Sequence, residues 1–328
     1  MKFSVVISNY NYGRFVGKAI ESALAVAWPE LEVIVVDDGS TDNSREVIES
    51  FGDDIVAIFQ PNGTQRVACN TGFARSTGDA VIFLDSDDVL LPSIAFEAAS
   101  VWSEKVSKVQ FQMMRIDSAG KPTGRIFPVY APVPTPDLIR AWARETTAYP
   151  TPPGSGNVYA RKFLERIFPL DELCGPAADS ACLAAAPFLG EVITIAKPLV
   201  QYRAHGGNDS NLLSDYARFG REVARAEARW KFACKLAREE GFALREKNIF
   251  RSLHLLQFRT ASLRIAPAAH PLGNDSRLRA LRDALHAMWS FPMASLNQRF
   301  VLGAWVILTL ISPKSLALRL IAFRFAQR

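Results

Sequence analysis

Residues 80–88 read AVIFLDSDD, an apolar run that ends in three carboxylates within four positions. The apolar part predicts a buried strand. A strand that brings Asp85, Asp87 and Asp88 to its carboxyl end needs a bound cation, or one carboxyl must stay protonated at a raised pKa. Aspartates that share Mg²⁺ or Mn²⁺ with a phosphate group are one solution. The alternative is an acidic turn after a strand, because Asp and Ser both favour turns.

Two earlier apolar runs also end in polar residues. Residues 31–36 lead into Asp37 and Asp38, and an equally apolar run at the N-terminus leads into Ser8 and Tyr10. The other predicted elements of this region are helices at residues 19–24, 45–51 and 66–75 and a strand at residues 55–59. Alternating strands and helices predict an α/β fold with a mostly parallel sheet flanked by helices. Ligands of such sheets bind at the carboxyl ends of the strands, so we expect the polar residues to share one edge.

Five segments of the chain follow one another in a characteristic order and spacing. They are VVISNYN (5–11), VVDDGSTD (35–42), NG with NTG (62–63 and 70–72), FLDSDD (83–88) and YRAHGGNDS (202–210). In order and spacing these segments resemble glycosyltransferase family 2. The resemblance covers about the first two thirds of the chain. It implies a GT-A fold, the Rossmann-like fold of nucleotide-diphospho-sugar transferases, and transfer of a sugar with inversion at the anomeric carbon. UDP is the favoured donor nucleotide, with GDP and dTDP as alternatives.

The resemblance also implies roles for five residues at the donor. Ser8 and Tyr10 would line the nucleobase pocket, and Asp38 would accept a hydrogen bond from the base. Asp85 would contact the ribose, and Asp87 would hold Mn²⁺ or Mg²⁺ against the diphosphate. A carboxylate can accept from a uracil or guanine N–H, and a Tyr ring offers a stacking face, which agrees with these roles. For Tyr10 the alternative is packing inside the fold.

Asp88 and His205 are two further candidate metal ligands by this resemblance. Some relatives use the position of Asp88 for the metal, and relatives place the His of Tyr-Arg-x-His near the diphosphate. Neutral imidazole suits Mn²⁺ better than Mg²⁺. A lone His after a strand is otherwise a surface or capping residue. The neighbouring Arg203 is either a cation for the diphosphate or a brace for a carboxylate.

The general base of the family is an Asp that follows the metal motif and precedes a short apolar helix. Asp179 occupies this position, although Ala178 stands where relatives commonly have Glu. The acceptor hydroxyl must lose its proton as the new glycosidic bond forms, and a carboxylate can take it. Asp171 and Glu172, in a predicted surface turn, are the nearest alternatives. Asp179 would otherwise cap a helix over residues 180–186.

Charge divides the chain into two predicted domains. Residues 1–210, the predicted GT-A catalytic domain, hold 18 Lys and Arg against 25 Asp and Glu, whereas residues 211–328 hold 20 against 8. The second part is predicted to be a basic α-helical extension, with helices at residues 215–240 and 247–265. Its charge suggests an anionic partner. Since no nucleic-acid motif accompanies the charge, an anionic membrane surface fits better than nucleic acid.

The C-terminal segment also suggests contact with a membrane surface. Residues 300–311 form an uncharged apolar run that is too short for a membrane span of about 20 residues. Residues 316–325 mix apolar side chains with Arg319 and Arg324, which is typical of an interfacial basic helix. The alternatives are a core helix packed on the catalytic domain and a contact between subunits of an oligomer.

These patterns predict an inverting, metal-dependent transferase of single sugars, acting on a glycan or lipid-linked hydroxyl in cell-envelope polysaccharide biosynthesis. The Gln-x-x-Arg-Trp element of processive relatives is absent from the sequence. Cysteines without metal-ligand spacing, and a first strand directly after Met1 and Lys2, predict a cytoplasmic protein, peripheral at the inner face of the membrane. The alternatives are a sugar-1-phosphate nucleotidyltransferase, a receiver-type signalling module and a degenerate, non-catalytic protein that binds nucleotide sugars.

Overall fold

The chain divides into two compact units. The computed structural model describes residues 1–175, 177–205, 213, 215–242, 244, 249–290 and 295–325. The first unit comprises Met1–Ala141 and Tyr149–His205, and the second comprises Trp142–Ala148 and Gly206–Arg328. Residues 142–148 therefore group with the C-terminal part, although no pattern in the sequence indicated this.

A mixed sheet forms the centre of the first unit. Its strands are β1 (Phe3–Asn9), β2 (Leu31–Asp37), β3 (Val56–Phe59), β4 (Ala80–Asp85), β5 (Val89–Leu90), β6 (Val106–Ile116), β7 (Pro122–Phe127), β8 (Asn157–Ala160) and β9 (Glu191–Arg203). The order across the sheet is β3-β2-β1-β4-β8-β6-β9-β5, and β7 pairs with β6 beside this path. The β1–β2, β1–β4, β2–β3 and β6–β9 pairs are parallel, whereas β8 is antiparallel to both of its neighbours. The predicted mostly parallel α/β sheet is confirmed, and its antiparallel strands are an addition that no sequence pattern indicated.

Helices flank this sheet. They are α1 (Gly13–Leu24), α2 (Ser44–Glu49), α3 (Gln65–Arg75), α4 (Ile94–Ser100), α6 (Arg161–Leu164) and α7 (Ala178–Leu189). Helix α5 (Pro136–Thr146), between α4 and α6 in the chain, contains the boundary between the two units, which falls after Ala141. Because both faces of the sheet are covered, the inner strands are apolar without alternation. In β1, for example, Val5, Val6 and Ile7 are all buried.

Helix α1 begins at Gly13, well before the predicted start at residue 19. Asp42 Oδ2 accepts a hydrogen bond from the Gly13 N–H at 2.9 Å, which satisfies one of the free N–H groups of the first turn. A Cβ at Gly13 would lie 2.9 Å from the backbone nitrogen of Ser44, so this close approach of the two backbones requires glycine. The start depends on contacts with a distant loop, and no local pattern could show it.

Helices also form the described part of the second unit. They are α8 (Ala217–Glu239), α9 (Leu253–Ile265), α10 (Arg277–Ser290), α11 (Leu296–Ile311) and α12 (Lys314–Phe325). Helix α9 is buried along almost its whole length, and the other four helices pack against it. The predicted C-terminal helical extension is confirmed.

Serine caps begin two of these helices. The predicted start of α9 at residue 247 lies outside the described residues, and the helix is capped later, where the Ser252 hydroxyl accepts from the Leu255 N–H at 3.1 Å. Helix α11 starts before the apolar run of residues 300–311, because Ser295 and Gln298 form a capping box. Both caps are polar residues outside the apolar runs that the prediction followed.

The core of the second unit contains a buried ion pair between Arg259 and Asp275. Arg259 Nη2 lies 2.7 Å from Asp275 Oδ1 and Nε donates to Oδ2 at 2.8 Å, so the pair is bidentate. Neither side chain is more than 1% exposed, and Asp283 accepts a further bond from Arg259 at 3.1 Å. Burial raises the pKa of Asp275, but hydrogen bonds from His270 and Arg259 outweigh it and hold the pKa below its ordinary range.

We expect Asp275→Asn to lower the free energy of unfolding by about 3 kcal/mol, because Arg259 stays buried with one carboxylate fewer. A depressed pKa stabilises the fold above the pKa of the unfolded state, so the loss should be full at neutral pH and shrink below about pH 4. Denaturant unfolding at both pH values measures it. The control is Asp215→Asn, which removes an exposed partner of Arg221 and should change little. Equal losses in the two variants would contradict the prediction.

Candidate active site

The carboxyl ends of β1, β2 and β4 meet at one edge of the sheet. In the parallel register Ser8 lies between Val36 of β2 and Asp85 of β4, and Asn9 lies beside Asp37. The structure therefore brings the polar ends of these three strands together. This edge is the candidate site, and the roles of its residues stay predictions.

The two neighbouring aspartates after β2 both accept hydrogen bonds from the protein. Asp37 Oδ1 accepts from Asn9 Nδ2 at 2.7 Å and from the Ser40 hydroxyl at 2.6 Å, which fixes the turn. Asp38 is buried, and its carboxylate accepts from the Gly63 N–H at 2.9 Å and the Thr64 N–H at 2.8 Å. Asp38 therefore ties the loop before α3 to the end of β2. A nucleobase N–H would be a further donor to this carboxylate, which already accepts from two backbone N–H groups.

Tyr10 and Ser8 lie just beyond and at the end of β1. Tyr10 is 47% exposed, so its ring is open to a stacking partner and does not pack inside the fold. The Ser8 hydroxyl hydrogen-bonds the buried Cys69 thiol of α3. The stacking role of Tyr10 and the pocket role of Ser8 stay predictions.

Two side chains that were not predicted to belong to the site make hydrogen bonds with Asp85. Gln65 Nε2 donates to Asp85 Oδ1 at 2.7 Å, and the Asp85 N–H donates to the Ser155 hydroxyl at 3.0 Å. Burial, followed by repulsion from Asp87 and Asp179, raises the pKa of Asp85 to about 7. Asp179 is therefore close enough to Asp85 to disfavour its charge.

Asp87, Asp88 and the end of β9 form one hydrogen-bonded group. His205 Nε2 lies 2.9 Å from Asp87 Oδ2, and the His205 ring packs against Tyr12 and Phe15 with centroid distances of 5.5 and 5.1 Å. His205 is thus a buried partner of Asp87 and not a surface residue. Residues 206–210 of the fifth motif lie outside the described residues.

Arg203 braces the same group through both its backbone and its side chain. Its N–H donates to Asp88 Oδ1 at 3.0 Å, and its Nε donates to the Asp87 carbonyl oxygen at 2.9 Å. The Arg203 side chain therefore holds the Asp87 backbone, and the bond to a carboxylate comes from the Arg203 backbone N–H. A contact of Arg203 with the diphosphate stays a prediction.

The group fits a divalent cation that a substrate phosphate helps to hold. Asp88 Oδ2 is buried and makes no hydrogen bond within the described part of the chain. Burial, and then repulsion from Asp87 and Asp85, raises the pKa of Asp88 well above its ordinary value, which a cation would reverse. No three Cys, His, Asp or Glu side chains among the described residues could hold a metal by themselves. This agrees with Mg²⁺-type sites, where one or two carboxylates act together with substrate phosphates.

Asp179 lies in the first turn of α7, opposite Asp85. The residue at the N-cap of α7 is Ala177, so the capping interpretation of Asp179 is wrong. A Cβ placed on Gly154 would lie 3.6 Å from Asp179 Cβ and 3.8 Å from Asp85 Oδ2. Asp85 and Asp179 therefore both lie beside Gly154.

The alternative bases, Asp171 and Glu172, are exposed in the segment before α7. Leu170, immediately before them, is bound to the Asn70 side chain of α3 through both its N–H and its carbonyl oxygen. In the same segment, Asp171 Oδ1 accepts from the Cys174 thiol at 3.5 Å.

Residues 4–168 match the family model described as Glycosyl transferase family 2. The chain belongs to this family. Over 215 residues it is 40% identical to an uncharacterised glycosyltransferase of Nostoc sp., a match that covers 64% of this chain and 66% of that relative. The uncharacterised glycosyltransferase YibD of Escherichia coli is 36% identical over 96 residues, which cover 28% of each chain. The match thus spans just under two thirds of the Nostoc relative and a much smaller share of YibD.

Two solved structures have the same fold as this chain. The structure titled S. aureus TarS 1-349 in complex with UDP-GlcNAc aligns with a TM-score of 0.51 and 18% identity, over 94% of this chain and 90% of that one. The mannosyltransferase PcManGT from Pyrobaculum calidifontis, in complex with GDP-Man and Mn²⁺, aligns with a TM-score of 0.52 and 17% identity, over 98% and 84%. At such identities the likeness concerns the fold, which is the predicted GT-A fold.

Proposed function

We propose that this protein is an inverting glycosyltransferase. It moves a single sugar from a nucleotide-diphosphate sugar, with UDP favoured, to a hydroxyl of a glycan or lipid-linked acceptor. The observation that supports the proposal is the arrangement around Gly154, which lies beside both Asp85 and Asp179, with the predicted metal ligands directly after Asp85 in the chain. A cytoplasmic location goes with the proposal, because nucleotide sugars are made there.

The donor would lie along the edge formed by β1, β2 and β4. Tyr10 stacks on the nucleobase, Ser8 and Asp38 line its pocket, and Asp85 contacts the ribose. The neighbours named above bind UDP-GlcNAc in one case and GDP-Man in the other. These two complexes support a nucleotide-sugar donor and leave the base open between UDP and GDP.

Asp87, with Asp88 and His205, would hold Mn²⁺ or Mg²⁺. When bound, the cation supplies Lewis-acid stabilisation of the charge on the departing nucleoside diphosphate. The neighbour with Mn²⁺ supports a divalent metal without deciding between the two ions. Asp87 is oriented for this role by His205 and by Arg203, which hold its carboxylate and its carbonyl.

Asp179 would act as the general base. Its carboxylate takes the proton of the acceptor hydroxyl while that oxygen attacks the anomeric carbon. The bond from the anomeric carbon to the diphosphate breaks on the opposite side, so the configuration inverts. The position of Asp179 beside Gly154, close to Asp85, supports this role, since Asp85 would contact the donor.

Hydrolysis of the donor, with water in place of the unknown acceptor, tests the reaction. An α-linked UDP-sugar or GDP-sugar should release the β-sugar first, which NMR of the anomeric proton at early times detects. Release of the α-sugar first would contradict inversion. Formation of a nucleotide sugar from a sugar-1-phosphate and a nucleoside triphosphate would favour the nucleotidyltransferase instead. Donor binding without turnover, with water or with glycan acceptors, would favour the degenerate protein.

Gly154→Ala tests whether the gap between the two carboxylates holds the reacting sugar. The added methyl group makes ordinary contacts at 3.6 and 3.8 Å, so the fold should tolerate it. We expect kcat/KM for donor hydrolysis to fall roughly tenfold or more, because the methyl group displaces the sugar from its reactive position. The control is Gly273→Ala, since no atom lies within 4 Å of a Cβ there. Unchanged kcat/KM in Gly154→Ala would place the sugar elsewhere.

A further inference from the structure

The second unit presents apolar side chains to solvent along three of its helices. Helix α10 exposes Leu278, Leu285 and Trp289, which is 76% exposed. Their spacing of seven and four residues puts them on one side of the helix. The corresponding exposed stripe of α11 is Val301, Leu308 and Ile311, and that of α12 is Leu316 and Phe323. We call these three stripes together the outer face of α10–α12.

The three stripes belong to adjacent helices. The Trp289 ring of α10 meets Phe300 of α11 edge-on, with centroids 5.5 Å apart. Trp305 Nε1 of α11 donates to the Leu320 carbonyl oxygen of α12 at 3.0 Å. Helix α11 therefore contacts α10 on one side and α12 on the other.

The core of the unit does not use the outer face. The buried sides of α10 and α11 share one hydrophobic cluster with α9, formed by residues such as Ala284, Val306 and Leu256. The buried side of α12 joins a second cluster through Ile321 and Phe325. The stripes lie on the remaining sides of these helices, so packing within the unit does not explain their apolar character.

The charges of α10–α12 have one sign at the surface. The helices carry the basic residues Arg277, Arg279, Arg282, Arg299, Lys314, Arg319 and Arg324. Their one carboxylate, Asp283, is buried and bound to Arg259 at 3.1 Å. Arg282 and Arg319 are exposed between the apolar residues of their own stripes. The outer face therefore combines apolar side chains with positive charge and no exposed carboxylate.

We propose that the outer face of α10–α12 docks on an anionic membrane surface. Apolar side chains with interspersed Arg are suited to the boundary between lipid headgroups and acyl chains, where Trp289 would be an anchor. A second copy of the chain fits less well, because pairing the face with itself would oppose two positive surfaces. None of the helices in the described ranges is long and apolar enough to cross a membrane. The contact is thus one with the surface of the bilayer.

Co-sedimentation of the 328-residue chain with vesicles tests the proposal. Vesicles of phosphatidylcholine that contain phosphatidylglycerol should bind the protein, and vesicles of phosphatidylcholine alone should bind it at least tenfold more weakly. The triple variant Trp289→Ser, Val301→Ser, Phe323→Ser should lose most of this binding. Arg282→Gln with Arg319→Gln should weaken binding about fivefold per charge, and added salt should reduce what is left. Circular dichroism checks that the variants are folded.

The matched control is Phe96→Ser, which removes an equally exposed aromatic side chain from the first unit and should leave vesicle binding unchanged. Absence of binding to anionic vesicles, or equal binding by the triple variant, would overturn the proposal. A dimer that light scattering detects in the wild type and not in the triple variant would assign the face to a second copy and overturn it as well. Nucleotide binding by the triple variant should equal that of the wild type, which separates this test from that of the proposed reaction.

Discussion

Asp179→Asn is expected to lower kcat by a factor on the order of 10²–10⁴ and to leave donor binding unchanged. The amide has nearly the size of the carboxylate but cannot take the proton of the acceptor hydroxyl. Donor binding should persist, because the predicted contacts of the nucleotide come from Tyr10, Asp38 and Asp85. Steady-state rates and the dissociation constant of the nucleoside diphosphate, measured on the same preparation, give the two quantities.

Asp171→Asn is the control for this variant. Asp171 is an exposed Asp in the segment that precedes α7. The kcat of Asp171→Asn should stay within about twofold of the wild type. Full activity of Asp179→Asn together with loss of activity in Asp171→Asn would move the base to Asp171. Loss of both rate and donor binding in Asp179→Asn would indicate a role in binding.

Asp87→Ala is expected to weaken metal-dependent binding of the nucleoside diphosphate by a factor on the order of 10² or more. The variant removes the carboxylate that His205 orients and leaves Asp88, which lies farther into the protein. Without a cation the diphosphate would meet the negative charges of Asp85 and Asp88 directly. Calorimetric titration in Mn²⁺ and in EDTA gives the metal-dependent part of the affinity.

Asp53→Ala serves as the control, because Asp53 is exposed in the turn before β3. It should bind nucleotide and metal like the wild type. His205→Ala should fall between the two, since it removes a partner of Asp87 and one candidate ligand. If Asp87→Ala kept its metal-dependent affinity and Asp88→Ala lost it, the metal would belong to Asp88.

The sheet edge could be predicted because its signals are local. In β1, β2 and β4 an apolar run passes directly into a polar end, and parallel pairing then puts Ser8 beside Asp85. The antiparallel β8 has no such signal, because it is short and buried on both faces between β4 and β6. Its position in the sheet is decided by tertiary pairing.

The contacts within the site could not be predicted from local sequence patterns. The Gln65 side chain donates to the Asp85 carboxylate across 20 residues of sequence. The Ser155 hydroxyl accepts from the Asp85 N–H across 70 residues. The family motif pointed to Asp179, but its position opposite Asp85 depends on how α7 packs. Gly154 begins the short turn Gly154–Gly156 before β8. The structure shows that Asp85 and Asp179 both lie beside it.

The central claim is that the edge carrying Asp85, Asp87 and Asp88 binds a nucleoside diphosphate through a divalent cation. Calorimetric titration of the purified protein with UDP, GDP, dTDP and CDP, each in Mn²⁺ and in EDTA, tests it most directly. We expect one nucleotide, with UDP favoured, to bind in Mn²⁺ and not in EDTA. We expect Asp87→Ala to abolish this binding. Binding of none of the four in the presence of metal would contradict it.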